Sequence, residues 1–356
     1  MKMMPESRVT SGERARLAAL LANSALLMDI LGRNESRHAE AVQHYARTDI
    51  DRAISPESGD GVDGSRHSLG EAFGGMMRSN GPDQCLFEEA SNLEALLRQQ
   101  LKLDLRATIA VGGIGIAYQP ILCVENGQIS SVEVFARWDH PTFGPIRSAI
   151  FIGLAESLGL MDTLGDQLLT LACKQASEWP SSKRVAFNLS PLQFSSGRVV
   201  NSVKAALSRS GLVANRLQLE VNEKFFVSNL DSTLDQVNAL KTIGVQLLID
   251  DFGSDCSHSY IKHFRFDQIK FKQSIVDNIH SSTAFYAFVR AVSHRTRRLK
   301  MGIVAKGVEN GRQRDLLIAA GCTHLQGDLF SRPLPFDDVM ELLERERDLY
   351  PPHASG

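Results

Sequence analysis

Two adjacent carboxylates, Asp250 and Asp251, follow the apolar residues 247–249 and precede Gly253. An apolar run of this length that ends at a turn signal is typical of a strand buried on both faces. Two carboxylates at the end of such a strand repel each other, so a metal ion or cationic side chains must compensate their charge. The alternative is a loop that starts with two solvated aspartates, because Asp is common in turns.

The elements that would position these carboxylates form an alternating series of strands and helices. The predicted strands are 114–119, 129–136, 184–189, 216–221, 245–250, 267–271, 301–305 and 323–326. The predicted helices include 150–178, 197–210, 231–243, 274–299 and 309–320. This alternation predicts an α/β fold, a TIM-like (β/α)8 barrel, with a doubly wound open sheet as the alternative. The sequence has no GxGxxG after the first strand and no GxxxxGK motif, which disfavours the nucleotide-binding folds that carry them.

Polar residues stand at the carboxyl ends of the predicted strands, where barrels of this kind keep their sites. They are Glu133 to Arg137, Asn188, Glu220, Glu223, Asp250, Asp251, Lys270, Lys272, Lys306 and Gln326. Seven strands end in this way, which solvated loops explain poorly. We therefore expect a functional site in the barrel mouth.

The amino-acid composition narrows the types of protein and partner that are possible. The chain has 356 residues, 43% hydrophobic and 22% charged, which is typical of a globular protein. Its net charge of −2 gives no electrostatic reason to expect nucleic acid as a partner. Five scattered cysteines without a CxxC pair favour a reducing compartment, so we expect a cytoplasmic location and no cysteine-based zinc site. The apolar stretch near the N-terminus is too short for a membrane span.

We predict three regions: a helical N-terminal region (1–96), a barrel (97–345) and a C-terminal tail (346–356). The first region contains the capping-box pattern Thr10-Ser11-Gly12-Glu13, followed by leucines at helical spacing. That helix either packs on its own domain or forms a homodimer. Residues 55–69 are rich in Ser, Gly and Asp and are predicted to be a flexible linker. A helix from about 86 to 108 is predicted to lead into the barrel.

An ordered set of motifs carries a resemblance to a known family. The set includes Tyr118-Gln119-Pro120-Ile121, Glu133-Val134-Phe135-Ala136-Arg137-Trp138, Phe187-Asn188-Leu189-Ser190, Glu220-Val221-Asn222-Glu223, Asp250-Asp251-Phe252-Gly253 and Gln326-Gly327. Together these motifs resemble the EAL domain, the family of cyclic di-GMP phosphodiesterases, over roughly residues 95–345.

The resemblance implies a barrel whose mouth binds cyclic di-GMP and, in active members, holds two Mg²⁺ or Mn²⁺ ions that activate a water for hydrolysis. The residues that match the family's metal ligands are Glu133, Asn188, Glu220, Asp250 and Asp251. Lys270 matches the lysine that contacts the attacking water, and Glu223 matches the residue that holds the loop after the fifth predicted strand. The family's ligand contacts match Gln119, Arg137, Asp267, Gln326 and Pro333.

Departures from the family pattern bear on the activity. The family's AEGVE motif reads Ala305-Lys306-Gly307-Val308-Glu309, so Lys306 replaces a metal-ligating glutamate. The family's KxD motif reads Lys270-Phe271-Lys272, so Lys272 replaces an aspartate. These replacements change the local charge by about +4. A charged lysine repels a divalent ion and is unable to ligate it. We therefore expect no metal cofactor, and a salt-bridge cluster in which Lys306 and Lys272 neutralise Asp250, Asp251, Glu133 and Glu220.

Three functions remain open on the sequence. The first is a non-catalytic cyclic di-GMP receptor, a signalling regulator that acts through a protein partner. The second is a protein-interaction module that binds no nucleotide. The third is a phosphodiesterase that hydrolyses cyclic di-GMP to linear pGpG with Mg²⁺ or Mn²⁺. The two lysines favour the first two functions, and retention of Gln119 and Arg137 favours the first over the second.

Overall fold

The computed structural model describes residues 82–180, 182–223, 230–253 and 266–346. The predictions for the N-terminal helix, the linker at 55–69 and most of the C-terminal tail lie outside these residues. The chain divides into two compact units. One unit contains Met1–Gly113 and Arg137–Leu158, and the other contains Ile114–Ala136 and Gly159–Gly356.

The unit that begins at Ile114 is organised by a closed sheet. Its strands are β1 (Gly115–Cys123), β2 (Ile129–His140), β4 (Arg184–Leu189), β5 (Leu217–Asn222), β6 (Gln246–Phe252), β7 (Gln268–Phe271), β8 (Gly302–Ala305) and β9 (His324–Leu325). The hydrogen-bonded order is β1-β9-β8-β7-β6-β5-β4-β2, and an additional β1–β2 pairing closes the ring. The short strand β3 (Gly144–Ile146) pairs with the far end of β2. The predicted TIM-like barrel is confirmed, and the open-sheet alternative is wrong because the sheet closes on itself.

Strand direction departs from the standard barrel at one place. The neighbours from β2 through β4 to β9 pair in parallel, but β1 pairs with β9 antiparallel. No helix separates β1 from β2, and a tight turn at residues 123–128 joins them, with Cys123 N donating to Gln128 O at 2.8 Å. The barrel is therefore eight-stranded with one reversed strand.

The first two helices belong to the other unit, and the rest connect the strands of the sheet or follow its last strand. They are α1 (Pro82–Ala110), α2 (Ser148–Ser157), α3 (Met161–Ser177), α4 (Pro191–Ser195), α5 (Val199–Ser210), α6 (Leu230–Ile243), α7 (Gln273–Asp277), α8 (Thr283–Arg298), α9 (Gly311–Ala319) and α10 (Phe336–Glu344). In the described part of the chain, no helix combines the length and apolarity needed to cross a bilayer.

Two predicted helices are each divided in the structure. The helix predicted at 150–178 is α2 followed by α3, because Gly159 adopts a left-handed conformation with φ of 66° between them. The helix predicted at 274–299 is the short α7 followed by α8. By contrast, α1 runs unbroken across the predicted boundary at residue 97.

Apolar residues fill the barrel and one face of α1. Ile121, Leu248 and Val304 form a fully enclosed cluster contributed by β1, β6 and β8. The strands carry runs of buried residues on both faces, as parallel strands covered by helices do. In the other unit, the buried side chains of α1 recur every fourth residue at Leu97, Leu101, Leu105 and Ile109. That spacing places them on one face of the helix.

Candidate functional site

The candidate site is built where the barrel strands end. Glu133 lies on β2, Glu220 on β5, Lys270 on β7, and Lys306 directly after β8. Asp250 and Asp251 occupy the last part of β6, where Asp250 is in register with Asn222 of β5. Parallel neighbours bring these positions to one end of the barrel, so the polar groups of separate strands converge.

Lys270 forms the buried centre of the site. Its ammonium group lies 2.8 Å from a carboxylate oxygen of Glu133, and 2.8 and 2.7 Å from the two oxygens of Glu220. The side chains of Lys270 and Glu220 have no exposed surface, and that of Glu133 is 6% exposed. A buried ion pair of this kind is retained only when its remaining hydrogen-bonding groups are also satisfied.

Amide side chains complete the surroundings of Glu133. Asn188 donates to one Glu133 oxygen at 2.7 Å, and Gln326 donates to the other at 2.6 Å. Gln326 also donates to Gln119 at 3.1 Å, and Gln119 donates to the Ser331 carbonyl at 2.9 Å. The Gln326 carbonyl oxygen is buried without a hydrogen-bond partner in the described structure, so it is an acceptor available to a bound group.

Lys306 bridges the two adjacent aspartates. Its ammonium group lies 2.8 and 3.0 Å from the two oxygens of Asp250 and 2.7 Å from an oxygen of Asp251. Asp251 holds a left-handed backbone with φ of 55°, and Asn222 donates to its other oxygen at 3.1 Å. A non-glycine residue in this conformation is uncommon and is sustained by its surroundings. The pairing of Lys306 with both aspartates is the arrangement that the sequence predicts for this lysine.

The electrostatics of the site follow from burial and from these contacts. Burial, and next the neighbouring Glu133 carboxylate, raise the pKa of Glu220, while the charge of Lys270 acts in the opposite direction. Burial acts in the same direction on Glu133, but the charge of Lys270 and the hydrogen bonds to that carboxylate leave its pKa lowered. Burial opposes the charged form of Lys270, yet the carboxylates of Glu133, Glu220 and Asp250 outweigh it and raise the lysine's pKa.

The pKa of Lys306 is also raised. Burial alone would lower it, and the nearby charge of Lys270 acts in the same direction, but the charge of Asp250 and hydrogen bonds to Asp250 and Asp251 prevail. Both lysines are therefore ammonium groups at neutral pH, and neither has the free lone pair that a metal ligand needs.

Glu223 supports the segment that follows β6. Its side chain is fully buried, and one carboxylate oxygen accepts a hydrogen bond from the backbone N–H of Gly253 at 3.0 Å. The resemblance implies that Glu223 holds the loop after this strand, and the described contact is with Gly253 at the start of that loop. It fixes the chain directly after the two aspartates.

The donor set does not fit a pair of divalent ions as it is arranged. Ammonium groups contact all four carboxylates, and hard divalent ions need those oxygens as ligands. In the described part of the chain, no group of three His, Cys, Asp or Glu side chains is placed to hold a metal ion. The oxygens of Glu133, Glu220, Asp250 and Asp251 would become ligands only if the two lysines moved away.

Three of the predicted site residues lie elsewhere or make other contacts. Lys272 is exposed and forms no ion pair with a described residue, so the predicted cluster contains Lys270 in its place. Asp267 precedes β7, and its carboxylate binds the Lys241 ammonium group at 2.7 Å and the Leu247 N–H at 2.7 Å. Both contacts lie near the amino ends of β6 and β7, which argues against the predicted ligand contact. Arg137 belongs to the other compact unit, where burial lowers the pKa of its guanidinium.

Two further residues near the mouth are Pro333, which the resemblance makes a ligand contact, and Asn222, which has no predicted role. Pro333 is partly buried next to Leu334, whose N–H donates to the Tyr118 carbonyl at 2.7 Å. Asn222 has no role in the sequence prediction, although it holds Asp251. A signal is present in its spacing: Asn222 lies two residues after Glu220 on a strand, which places both side chains on the same face.

Comparisons with known proteins agree with this fold. The EAL domain family matches residues 102–333. The chain is 32% identical over 328 residues to the bifunctional diguanylate cyclase/cyclic di-GMP phosphodiesterase MucR of Pseudomonas aeruginosa, covering 90% of this chain and 48% of the relative. It is 34% identical over 262 residues to the cyclic di-GMP phosphodiesterase NbdA of the same organism, covering 72% of this chain and 34% of the relative. The chain thus spans less than half the length of either protein.

Solved structures give the same result. A structure described as the PaMucR phosphodiesterase in complex with cyclic di-GMP has a TM-score of 0.65 and 35% identity, covering 67% of this chain and 99% of that chain. The FimX EAL domain of Pseudomonas aeruginosa bound to cyclic di-GMP shares the fold with a TM-score of 0.61 at 18% identity, covering 66% of this chain and 96% of that chain. Because the family match covers most of the chain and the barrel agrees with it, the chain belongs to the EAL domain family.

Proposed function

We propose that this protein binds cyclic di-GMP in the barrel mouth without hydrolysing it, and acts as a signalling regulator that a protein partner reads. The observation that carries the proposal is the pairing of Lys306 with both Asp250 and Asp251, at 2.7 to 3.0 Å. A fixed ammonium group already compensates the charge that a divalent ion would otherwise compensate.

Hydrolysis in this family would require two divalent ions to generate the nucleophile and to stabilise the leaving oxygen. An ion next to Lys306 would compete with it for Asp250 and Asp251 and would be repelled by its charge. Lys270 also contacts Glu133 and Glu220, but it matches a lysine that active members of the family keep, so Lys306 is the charge that distinguishes this mouth. The arrangement therefore favours a mouth in which lysine side chains, and no metal ion, compensate the carboxylate charges.

Retained polar groups support binding of the dinucleotide. Gln119 and Gln326 are in place and linked to each other, and the Gln326 carbonyl oxygen is an open acceptor. The Lys306 side chain is 24% exposed, so its positive charge can attract a phosphate. Arg137 is retained in the sequence, and a guanidinium can clamp a phosphate in bidentate fashion.

A specific observation also favours a second candidate, a cyclic di-GMP phosphodiesterase. Every residue that matches a family metal ligand, apart from the Lys306 position, is retained: Glu133, Asn188, Glu220, Asp250 and Asp251. Relatives that share about a third of their residues with this chain are named as cyclic di-GMP phosphodiesterases. In that case Mg²⁺ or Mn²⁺ would displace Lys306 and the product would be linear pGpG.

Titration calorimetry with cyclic di-GMP, in EDTA and again with Mn²⁺, separates the candidates when the nucleotide is followed by chromatography. We expect binding in EDTA and intact nucleotide in both buffers. Conversion to pGpG with Mn²⁺ would establish the phosphodiesterase. Absence of binding in both buffers would leave a protein-interaction module.

Two charge-matched variants test the role of Lys306. Lys306→Glu and Lys272→Asp each change the net charge by about −2 at neutral pH, but only the first adds a carboxylate next to Asp250. We expect Lys306→Glu to bind Mn²⁺ in calorimetry at least about tenfold more tightly than the native protein, a change of ~1.4 kcal/mol. Lys272→Asp should bind like the native protein. Equal gains in both variants would refute a specific effect of Lys306.

A further inference from the structure

A basic surface lies at the C-terminal end of α8, outside the mouth. We define the α8 basic surface as Arg290, Arg295, Arg297, Arg298 and Lys300, all of which are exposed. None of these five cations forms an ion pair with a described residue. Their charges are therefore presented to solvent.

The sequence around this surface contains no counter-charge. Residues 278–308 include no Asp or Glu, although the chain as a whole has a net charge of −2. Helix α8 itself therefore has no acidic side chain that could pair with its arginines at helical spacing. By contrast, the exposed Arg332 and Arg345 each pair with a carboxylate four residues away.

The helix dipole explains only part of this concentration of charge. Cations in the last turn are stabilised by the dipole, and the effect falls off within that turn. Arg290 lies two turns before the end of the helix and Lys300 lies beyond it. Lys300 also has a left-handed backbone with φ of 57°, a conformation that favours Gly. A lysine in that position keeps positive charge at a cost in stability.

We propose that the α8 basic surface docks a short acidic segment of a partner protein. Four of its five cations are arginines, which bind carboxylates in bidentate fashion and are enriched at protein interfaces, where lysine is depleted. Leu299 is 43% exposed among them and offers an apolar contact. From Arg290 to Arg298 the surface spans about 12 Å, which matches about four residues of an extended peptide. A nucleic acid or a membrane would need a larger basic area, and the net charge of the chain gives neither a long-range attraction.

The surface lies at the end of the barrel opposite to the mouth. Helix α8 follows β7 and leads into β8, so its C-terminal end is where the strands begin. Gly302, the first residue of β8, donates to the carbonyl of Asp267, which directly precedes β7. A partner docked there would leave the mouth open, so peptide binding and cyclic di-GMP binding should not compete. The docking proposal does not depend on the function proposed for the mouth.

The test uses a fluorescein-labelled peptide with the sequence Gly-Glu-Glu-Leu-Glu-Glu-Leu-Gly and the full-length protein. We expect saturable binding by fluorescence anisotropy that weakens as salt is raised, because screening shortens the reach of these charges. The variant Arg295→Gln/Arg297→Gln/Arg298→Gln should lose affinity about tenfold or more. The control Lys174→Gln/Lys204→Gln/Arg209→Gln removes three exposed cations from α3 and α5 and should bind within about twofold of the native protein.

Several outcomes would overturn the proposal. Equal losses in both triple variants would mean that the peptide senses only net charge. Tighter binding of a duplex oligonucleotide or of phosphatidylglycerol vesicles, reduced by the α8 substitutions, would assign the surface to another class of partner. A change of oligomeric state in the α8 variant, measured by light scattering, would assign it to a second copy of this chain. Competition by cyclic di-GMP would contradict the placement opposite to the mouth.

Discussion

Lys270 is a lysine without exposed surface whose partners are two buried glutamates. Breaking a buried ion pair from one side leaves an uncompensated charge, which costs about 3–5 kcal/mol. We expect Lys270→Met to lower the free energy of unfolding by about that amount, measured by urea denaturation at neutral pH. The control is Lys272→Met, two residues further on and exposed, which should change stability by less than about 0.5 kcal/mol. Similar values for the two variants would mean that Lys270 does not hold Glu133 and Glu220.

Lys270 and Lys272 show the limit of predicting side-chain positions from the sequence. Lys270 and Lys272 are two apart, so continued strand alternation would point both into the barrel. The strand ends at Phe271, and Lys272 instead precedes α7 and turns outward. Sequence motifs identify Lys306 as a partner of Asp250 and Asp251 because its position replaces a carboxylate. They do not reveal where a four-residue strand stops.

The segment after β9 closely approaches the backbone of the segment after β8. A Cβ atom on Gly327 would collide with the backbone N and O of Val308, and Val308 N donates to the carbonyl of Gln326 at 2.9 Å. Backbone atoms are unable to give way as a flexible side chain can. We expect Gly327→Ala to lower the free energy of unfolding by about 3 kcal/mol or more, because it forces the two segments apart.

Gly153 provides the matched control for this substitution. It lies inside α2, and a Cβ atom there would meet no atom within 4 Å. Gly153→Ala should raise stability by roughly 0.5–1 kcal/mol, since Ala is the better helix former. Thermal unfolding of both variants distinguishes the two effects. A mild effect of Gly327→Ala would show that β8 and β9 are less closely packed than the structure has them.

Element types and order are predictable from the sequence because burial patterns and turn residues mark them, but strand direction is not. The alternation of strands with helices predicts the barrel but leaves the open sheet as an alternative, which only the β1–β2 pairing excludes. The reversed strand β1 carries the same kind of apolar residues as its parallel neighbours, for example Ile121 beside Val304. A buried strand shows the same side-chain pattern whether it runs parallel or antiparallel to its neighbours. Only the antiparallel pairing of β1 with β9 therefore reveals the direction of β1.

At the scale of the whole molecule, we expect acid stability to depend in part on His324. Burial, and next the charge of Arg184, lower its pKa to about 4. The unfolded chain therefore takes up the proton first, and stability falls as the pH drops below the ordinary value near 6.5. Between pH 7 and pH 5 this group should account for a loss of about 2 kcal/mol, and the effect should level off below pH 4.

The measurement is a series of urea denaturation curves across this range. His324→Gln should flatten the slope between pH 7 and pH 5, because the side chain no longer titrates. The exposed His294→Gln on α8 serves as the control and should keep the native slope. An unchanged slope in His324→Gln would mean that other groups govern the acid sensitivity of the fold.

The Lys306 bridge also has a consequence at the level of the gene. A lysine codon, AAA or AAG, becomes a glutamate codon when its first base changes from A to G, whereas a change from lysine to aspartate requires two base changes. The side chain that holds Asp250 and Asp251 is therefore one point mutation from a carboxylate, while Lys272 is two from an aspartate. Within a lineage, the charge at the centre of this mouth could be inverted, and restored, in a single mutational step.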